Sequence, residues 1–152
     1  MSDKKILMVA SPGGHFVQLS LIAEALSNYC NNFIIVGVYE SKPSFIKGDT
    51  YRQVSDFSRD NPAVLFKSIK QAWLLLREYK PDLVITTGAA PGFVFIAMSK
   101  ILGIKAAWVD SIANSRKLSL SGRFAKLLGV HVLTQWQNVA SDSSVLYKGR
   151  VI

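Results

Sequence analysis

Residues 5–15 decide the fold, and they read Lys5-Ile6-Leu7-Met8-Val9-Ala10-Ser11-Pro12-Gly13-Gly14-His15. The apolar run at the start of this stretch is typical of a strand buried in a parallel sheet. The serine, proline and glycines that follow predict a turn. From Phe16 to Tyr29, apolar residues recur at helical spacing, which predicts a helix. A strand, a glycine turn and a helix in succession are typical of an α/β fold.

The same alternation continues outward from this stretch to the end of the chain. Apolar strands that alternate with helices predict a Rossmann-like, doubly wound parallel sheet. A chain of 152 residues suits one domain, so we expect a single domain over 1–152. The predicted strands are 5–10, 33–38, 51–54, 83–86, 106–109, 130–133 and 145–147. The predicted helices are 16–29, 61–79, 93–102 and either 119–128 or 121–128, and a polar loop is predicted at 40–50.

Several classes of protein are disfavoured by composition. Cys30 is the only cysteine, so no internal disulfide forms and a reducing compartment is expected. His15 and His131 have no metal-ligand spacing, so we predict no metal site. No run of 18 uninterrupted apolar residues occurs, which predicts a cytoplasmic or peripheral protein.

The formal net charge is +8, and basic residues dominate the C-terminal part. After Ser111 there are six Lys or Arg residues and one acid, Asp142. This balance favours an anionic partner, either a phosphorylated ligand, an acidic lipid surface or a nucleic acid. The chain has no recognition-helix, RNP-like or zinc-finger pattern, so we predict no nucleic-acid partner.

Three polar loops follow predicted strands, at 11–15, 87–92 and 110–115. Ligands of doubly wound sheets bind beyond the carboxyl ends of the strands. We therefore expect the three loops to share one edge of the sheet and to form the ligand site.

The first loop contains Gly13, Gly14 and His15. Glycine permits a sharp turn and a close approach to a ligand, and the helix start that follows favours an anion. His15 could donate to a phosphate oxygen or take a proton from a hydroxyl. The alternative is a plain turn whose histidine caps the helix. The full dinucleotide fingerprint, the phosphate-loop pattern and the nucleophile elbow are all missing from the chain.

The other two loops also contain candidate site residues. Thr87 and Gly88 could contact a ligand or serve turn chemistry only. Asp110 could orient a histidine, accept from a sugar hydroxyl or cap a turn. Ser111 and Asn114 follow it in the same loop.

Two segments combine aromatic or apolar residues with cations. On the predicted helix 61–79, the predicted core stripe consists of Leu65, Ile69, Ala72 and Leu76. On another stripe, the residues Phe66, Lys70, Trp73 and Arg77 recur at helical spacing. Such a stripe fits a membrane interface, where Trp sits at headgroup level and cations meet lipid phosphate. Alternatively, the aromatics are core residues and the cations a solvated edge. A second basic-apolar segment contains Arg116, Lys117 and Arg123.

Taken in order, a set of motifs resembles one family of proteins. They are the run 11–15, the run 86–92, the stretch 108–113 and the stretch 118–123, with 133–136 also fitting. The family is that of the bacterial exopolysaccharide subunits of PssD or CpsF type. These are relatives of the membrane-anchoring subunit of the dolichol-pathway UDP-GlcNAc transferase and resemble the N-terminal half of GT-B glycosyltransferases such as MurG.

The resemblance implies an acceptor-side domain whose glycosyltransferase is completed by a separate donor-binding chain. The acceptor would be a polyprenyl-diphosphate-linked sugar, and no cofactor would bind this chain, because the partner supplies the nucleotide sugar, a UDP-sugar. Eukaryotic members have an N-terminal membrane helix without a counterpart here, so attachment to the inner face of the cytoplasmic membrane would use the basic-apolar surface or the partner. Pro12 departs from the small residue expected in the first loop. The implied catalytic residues are His15 and Asp110, and the implied acceptor-binding residues are Ser11, Gly13, Gly14, Thr87, Gly88, Ser111 and Asn114.

Two other functions remain open at this point. The chain could be a scaffold without a catalytic role, which recruits and activates its partner at the membrane. It could also be a free-standing α/β module that binds a nucleotide or phosphate.

Overall fold

The fold was obtained as a computed structural model that describes residues 2–48, 50–56, 61–141 and 144–152. Of the predicted loop 40–50, Asp49 lies outside these residues, as does the acidic Asp142. In chain order, the elements are β1 (Ser2–Val9), α1 (Gly14–Leu26), β2 (Cys30–Gly37), β3 (Thr50–Gln53), α2 (Pro62–Tyr79), β4 (Leu83–Thr86), α3 (Ala89–Ile101), β5 (Lys105–Val109), α4 (Leu120–Leu127), β6 (His131–Thr134) and β7 (Val145–Tyr147).

The strands form one seven-stranded sheet in the order β3-β2-β1-β4-β5-β6-β7. Every neighbouring pair is parallel. Ile6 of β1 pairs with Phe33 of β2 on one side and with Leu83 of β4 on the other. The predicted Rossmann-like, doubly wound sheet is confirmed. The strand order reverses between β1 and β4, and a ligand crevice is expected at the carboxyl ends of these strands.

Helices cover both faces of the sheet, because side chains of successive strand residues point to opposite faces. Leu7 and Val9 of β1 belong to the hydrophobic cluster that includes buried side chains of α2, α3 and α4. Ile6 and Met8 belong to the second cluster, which includes Phe16 and other buried side chains of α1. The site at the strand ends is therefore held between two packed layers.

Several predicted boundaries were wrong. Helix α3 begins at Ala89 rather than at residue 93, so most of the predicted loop 87–92 is helical. Pro91 does not prevent this, because a proline in the first helical turn removes an N–H that has no intrahelical partner. Helix α1 spans Gly14–Leu26 instead of 16–29. Strand β2 begins at Cys30 rather than at residue 33, so Asn31 and Asn32 lie in this strand, and Asn32 pairs with Lys5 of β1.

Helix α2 has the predicted start and stop. The side chain of Asn61 accepts a hydrogen bond from the N–H of Ala63, and Lys80 adopts a left-handed conformation at the end of the helix, ahead of Pro81. Of the predicted core stripe, Ala72 and Leu76 are buried. Leu65 is 38% exposed, which contradicts its place in that stripe. Ser68 and Leu75 are buried as well.

Candidate functional site

The three predicted loops meet at the carboxyl edge of the sheet, where they form a polar notch of about 250 Å³. Loop residues after β1, β4 and β5 lie in its walls, together with the start of α4. Five of the predicted site residues are among them. The residues that line this polar notch are His15, Gly88, Ala89, Asp110, Ser111, Ala113, Asn114, Ser119, Leu120 and Ser121.

His15 is held in one orientation by Thr87. Its ring atom Nδ1 lies 2.8 Å from the carbonyl oxygen of Thr87, and the Thr87 hydroxyl donates to the carbonyl oxygen of His15 at 2.5 Å. A carbonyl oxygen can only accept, so we assign the proton to Nδ1. In the neutral ring, Nε2 is then an unprotonated acceptor. Thr87 is buried and acts on the site through His15.

Gly88 makes room for this histidine. Its φ is 125°, a conformation that favours glycine, and a Cβ atom there would lie 2.9 Å from Cε1 of His15. Ala89 follows with φ 66°, which is uncommon for a residue other than glycine. Unusual backbone conformations of this kind cluster at ligand sites.

Three helix N-termini point into the polar notch, because His15, Ala89 and Leu120 lie in the first turns of α1, α3 and α4. Neither α1 nor α3 has a side-chain cap on its first N–H groups. No acidic residue lies in the first turn of any of the three helices. The N-termini of α1 and α3 are positive dipole ends without a side-chain cap, whereas Ser119 caps α4, so the first two helix starts favour an anionic ligand.

Asp110 is the centre of a buried hydrogen-bond network. It is 1% exposed, and its carboxyl group accepts four hydrogen bonds. The donors are Nε1 of Trp108 at 3.0 Å, Nδ2 of Asn114 at 3.1 Å, and the N–H and hydroxyl of Ser119 at 2.9 and 2.5 Å. These bonds join the third loop to the start of α4. The hydrogen-bond partner of the His15 ring is thus Thr87 and not Asp110, which lines the same notch.

Two buried glutamines were missed by sequence reasoning. Gln135 Nε2 donates to Oε1 of Gln18 at 2.6 Å and to the carbonyl oxygen of Asp110 at 3.0 Å. The N–H of Ile112 donates to the same Gln18 oxygen at 3.3 Å, and the N–H of Val151 donates to Gln135 Oε1 at 2.9 Å. The pair ties α1 to the third loop. Gln135 directly follows β6, and its position at the end of a predicted strand was the signal that could have identified it as a site residue.

The first loop is positioned by two tyrosines. The N–H of Gly13 donates to the Tyr39 hydroxyl at 3.1 Å, and the Tyr51 hydroxyl donates to the Tyr39 carbonyl oxygen at 2.8 Å. Burial, and then the nearby Tyr39, raises the pKa of Tyr51 above its usual value, so its hydroxyl remains a donor at neutral pH. Ser11, Gly13 and Gly14 are not among the residues that line the polar notch, and both glycines are exposed.

The basic and aromatic segments lie beside the site, on the helices that cover one face of the sheet. Phe66 is 74% exposed, which contradicts its interpretation as a core residue. Lys70 and Arg77 are exposed, and the Arg77 guanidinium lies 5.8 Å from the centre of the partly buried Trp73 ring. The second segment borders a basic groove of about 520 Å³, whose lining includes Arg116, Lys117, Arg123 and Lys126.

Within the described part of the chain, no group of three or more His, Cys, Asp or Glu side chains is placed to hold a metal ion. The helices described are all too short or too polar to span a bilayer.

The chain is similar in sequence to two curated mammalian proteins. It is 27% identical over 178 residues to the UDP-N-acetylglucosamine transferase subunit ALG14 of Homo sapiens, an alignment that covers 97% of this chain and 82% of that protein. It is 25% identical over 180 residues to the subunit of the same name from Mus musculus, and this alignment covers 97% of this chain and 83% of that protein. No family model matches the chain.

Its fold is shared with larger solved structures. MurG of Acinetobacter baumannii superposes with a TM-score of 0.73 at 17% identity, over 95% of this chain and 45% of that one. The UDP-GlcNAc 2-epimerase of Neisseria meningitidis superposes with a TM-score of 0.72 at 13% identity, over 96% of this chain and 46% of that one. The chain thus has the Rossmann-like fold of one part of these proteins and spans about half their length.

Proposed function

We propose that this chain is the acceptor-binding, membrane-recruiting subunit of a two-component glycosyltransferase. The enzyme would move a sugar from a nucleotide sugar to a polyprenyl-diphosphate-linked acceptor in polysaccharide or glycan synthesis. The observation that carries the proposal is the polar notch, an anion-favouring site whose walls include an oriented histidine. The similarity to ALG14, by name a transferase subunit, extends over nearly the whole chain and supports it.

On this proposal, the acceptor diphosphate binds at the first turns of α1 and α3. Their N–H groups have no side-chain cap, so phosphate oxygens can take the place of one. On this proposal Ser11, Gly13 and Gly14 hold the outer side of the diphosphate, and Gly88, Ser111 and Asn114 hold the inner side.

His15 is suited to act as the general base. In the neutral ring, donation from Nδ1 to Thr87 leaves Nε2 as an acceptor, so it can take the proton of the attacking sugar hydroxyl. The hydroxyl oxygen then forms the new glycosidic bond as the bond to the nucleotide diphosphate breaks, with inversion at the sugar carbon. No covalent enzyme intermediate is needed. Asp110 serves as a positioning residue, since its carboxyl group already accepts four hydrogen bonds.

The donor half is proposed to be a separate chain. The solved structures that share the fold are about twice as long as this chain. A second Rossmann-like domain, supplied in trans, would grip the nucleotide sugar, here a UDP-sugar, so that this chain needs no cofactor of its own.

Membrane recruitment is proposed to use the exposed faces of α2 and α4. Phe66 and Phe124 are exposed apolar residues, and Lys70, Arg77 and Arg123 are exposed cations of the same two helices. Arg116 and Lys117 extend the cationic surface beside α4. Apolar insertion together with attraction to anionic headgroups would place the subunit on the inner face of the cytoplasmic membrane.

The test is a transfer assay on the two-chain complex, obtained by co-expression and pull-down. His15→Ala should lower the rate at least about tenfold, which corresponds to about 1.4 kcal/mol of transition-state stabilisation. His131→Ala is the matched control, since His131 is exposed and begins β6, so it lies at the amino ends of the strands and away from the polar notch. Its rate should be unchanged.

Unchanged turnover in His15→Ala would remove this residue from the mechanism. A partner chain that shows full activity alone, once tethered to lipid, would instead establish the scaffold role. Nucleotide binding by this chain without a partner would favour the free-standing module.

A further inference from the structure

We propose that an apolar groove between α2, α3 and α4 binds the first isoprene units of the acceptor's prenyl chain. This inference rests on the proposed function, because it assigns the lipid part of the same acceptor. The groove has a volume of about 490 Å³, within the range of about 300–1,000 Å³ typical of ligand sites. The residues that line this apolar groove are Leu65, Ile69, Ala90, Phe93, Val94, Ala97, Met98, Leu120, Ser121 and Phe124.

The groove and the polar notch share a wall. Leu120 and Ser121, at the start of α4, line both of them. At the start of α3, Ala89 lines the polar notch and its neighbour Ala90 lines the groove. A ligand that crosses this wall has its anionic part among helix N-termini and its other part among apolar side chains. That division matches a prenyl diphosphate.

The shape of the groove suits a linear chain. Its floor follows one stripe of α3, from Ala90 through Phe93 and Val94 to Ala97, a rise of about 10 Å along the helix. The small side chains of Ala90 and Ala97 leave this floor open. The rings of Phe93 and Phe124, both in the lining, have their centres 6.2 Å apart.

The groove also leaves apolar side chains in contact with water. Leu65 is 38% exposed, Leu120 41% and Phe124 48%. Contiguous exposed apolar surface of this kind marks binding sites in soluble proteins. Because the surface begins at the polar notch, the ligand in that notch is the molecule best placed to cover it.

The experiment measures binding of two probes to the intact chain, without detergent and without the partner. Inorganic pyrophosphate represents the headgroup alone, and farnesyl diphosphate carries the same headgroup on a short prenyl chain. We expect farnesyl diphosphate to bind at least about tenfold more tightly. Ala97→Trp, which fills the floor of the groove, should abolish this difference and leave the Kd for pyrophosphate unchanged.

Two further variants complete the test. Ala25→Trp is the matched control, because Ala25 is exposed on α1, on the other face of the sheet, and this variant should keep the tenfold difference. Phe124→Gln changes a half-exposed side chain and should therefore preserve the fold. It keeps the test valid if Ala97→Trp does not fold. It should reduce the preference for farnesyl diphosphate severalfold.

The outcomes separate this inference from the proposed function. Equal binding of the two probes, or a preference that survives both Ala97→Trp and Phe124→Gln, would overturn the groove assignment and leave the diphosphate site intact. If neither probe binds, the acceptor site itself is overturned. If Ala97→Trp and Phe124→Gln weaken attachment to phosphatidylglycerol vesicles but leave binding of farnesyl diphosphate unchanged, the groove contacts the bilayer and not the acceptor.

Discussion

Helices α1 and α3 begin differently from α2 and α4. The residues before α1 and α3 are Gly13 and Gly88, which have positive φ values and provide no side-chain cap. Helices α2 and α4 are capped by Asn61 and Ser119, whose side chains accept hydrogen bonds from N–H groups of the first turn. A side-chain cap stabilises a helix by about 1 kcal/mol. Of the three helices whose first turns line the polar notch, α1 and α3 lack such a cap and α4 has one.

The difference teaches where a ligand is expected. At a capped helix start, a side chain of the protein accepts a hydrogen bond from a first-turn N–H group. At an uncapped start, these N–H groups are available to oxygen atoms of a ligand. Helix α4 combines both properties, because its cap Ser119 also lies in the polar notch and is bound to Asp110. The predictions below separate caps that support the fold from groups that serve the site.

The largest effect on stability is expected at Asp110. Asp110→Ala would leave the buried Nε1 of Trp108 and the N–H of Ser119 without their acceptor, which should lower the free energy of unfolding by about 2–5 kcal/mol. Chemical denaturation measures this loss. Asp110→Asn keeps one acceptor oxygen and should lose less. A change within about 0.5 kcal/mol in the alanine variant would show that the network does not hold the third loop.

A smaller but more local effect is expected at Gly88. Gly88→Ala forces a Cβ atom against His15 at a φ of 125°, so it should lower stability by about 1–3 kcal/mol and displace the imidazole. Gly103→Ala is the control, since Gly103 also has a positive φ but its Cβ would meet nothing within 4 Å. Transfer activity should fall in Gly88→Ala only. Equal activity in both variants would contradict the role of Gly88.

The smallest effects distinguish the two capped helices. Asn61→Ala should lower stability by about 1 kcal/mol through loss of the cap, with no effect on ligand binding. Ser119→Ala should lower it further, because the hydroxyl also donates to Asp110. Thermal unfolding of the two variants side by side measures the difference. Equal Tm values would mean that the bond to Asp110 adds nothing.

Much of the fold could be predicted from the sequence, because its strands are continuous apolar runs and its turns contain glycine and proline. Asn61 and Pro62 marked the start of α2 correctly, and residues 145–147 were correctly predicted as the last strand. The meeting of three loops at one edge followed from the topology of parallel sheets alone. These features depend on local pattern and on general rules of packing.

The remaining features depend on tertiary contacts. Gln18 and Gln135 are far apart in sequence and become a pair only when α1 packs against the end of β6. The predicted start of α3 was wrong because proline and glycine are common both in loops and in first helical turns. Leu65 fitted the helical period of the core, yet the space above it is the open groove between three helices.

Backbone amide NMR during titration with inorganic pyrophosphate tests the central claim most directly. The account predicts shifts of the amides in the first turns of α1 and α3, around His15 and Ala90, while the capped start of α2 at Ala63 stays unchanged. Absence of shifts at both uncapped starts, or equal shifts at Ala63, would contradict the claim that the notch is a diphosphate site.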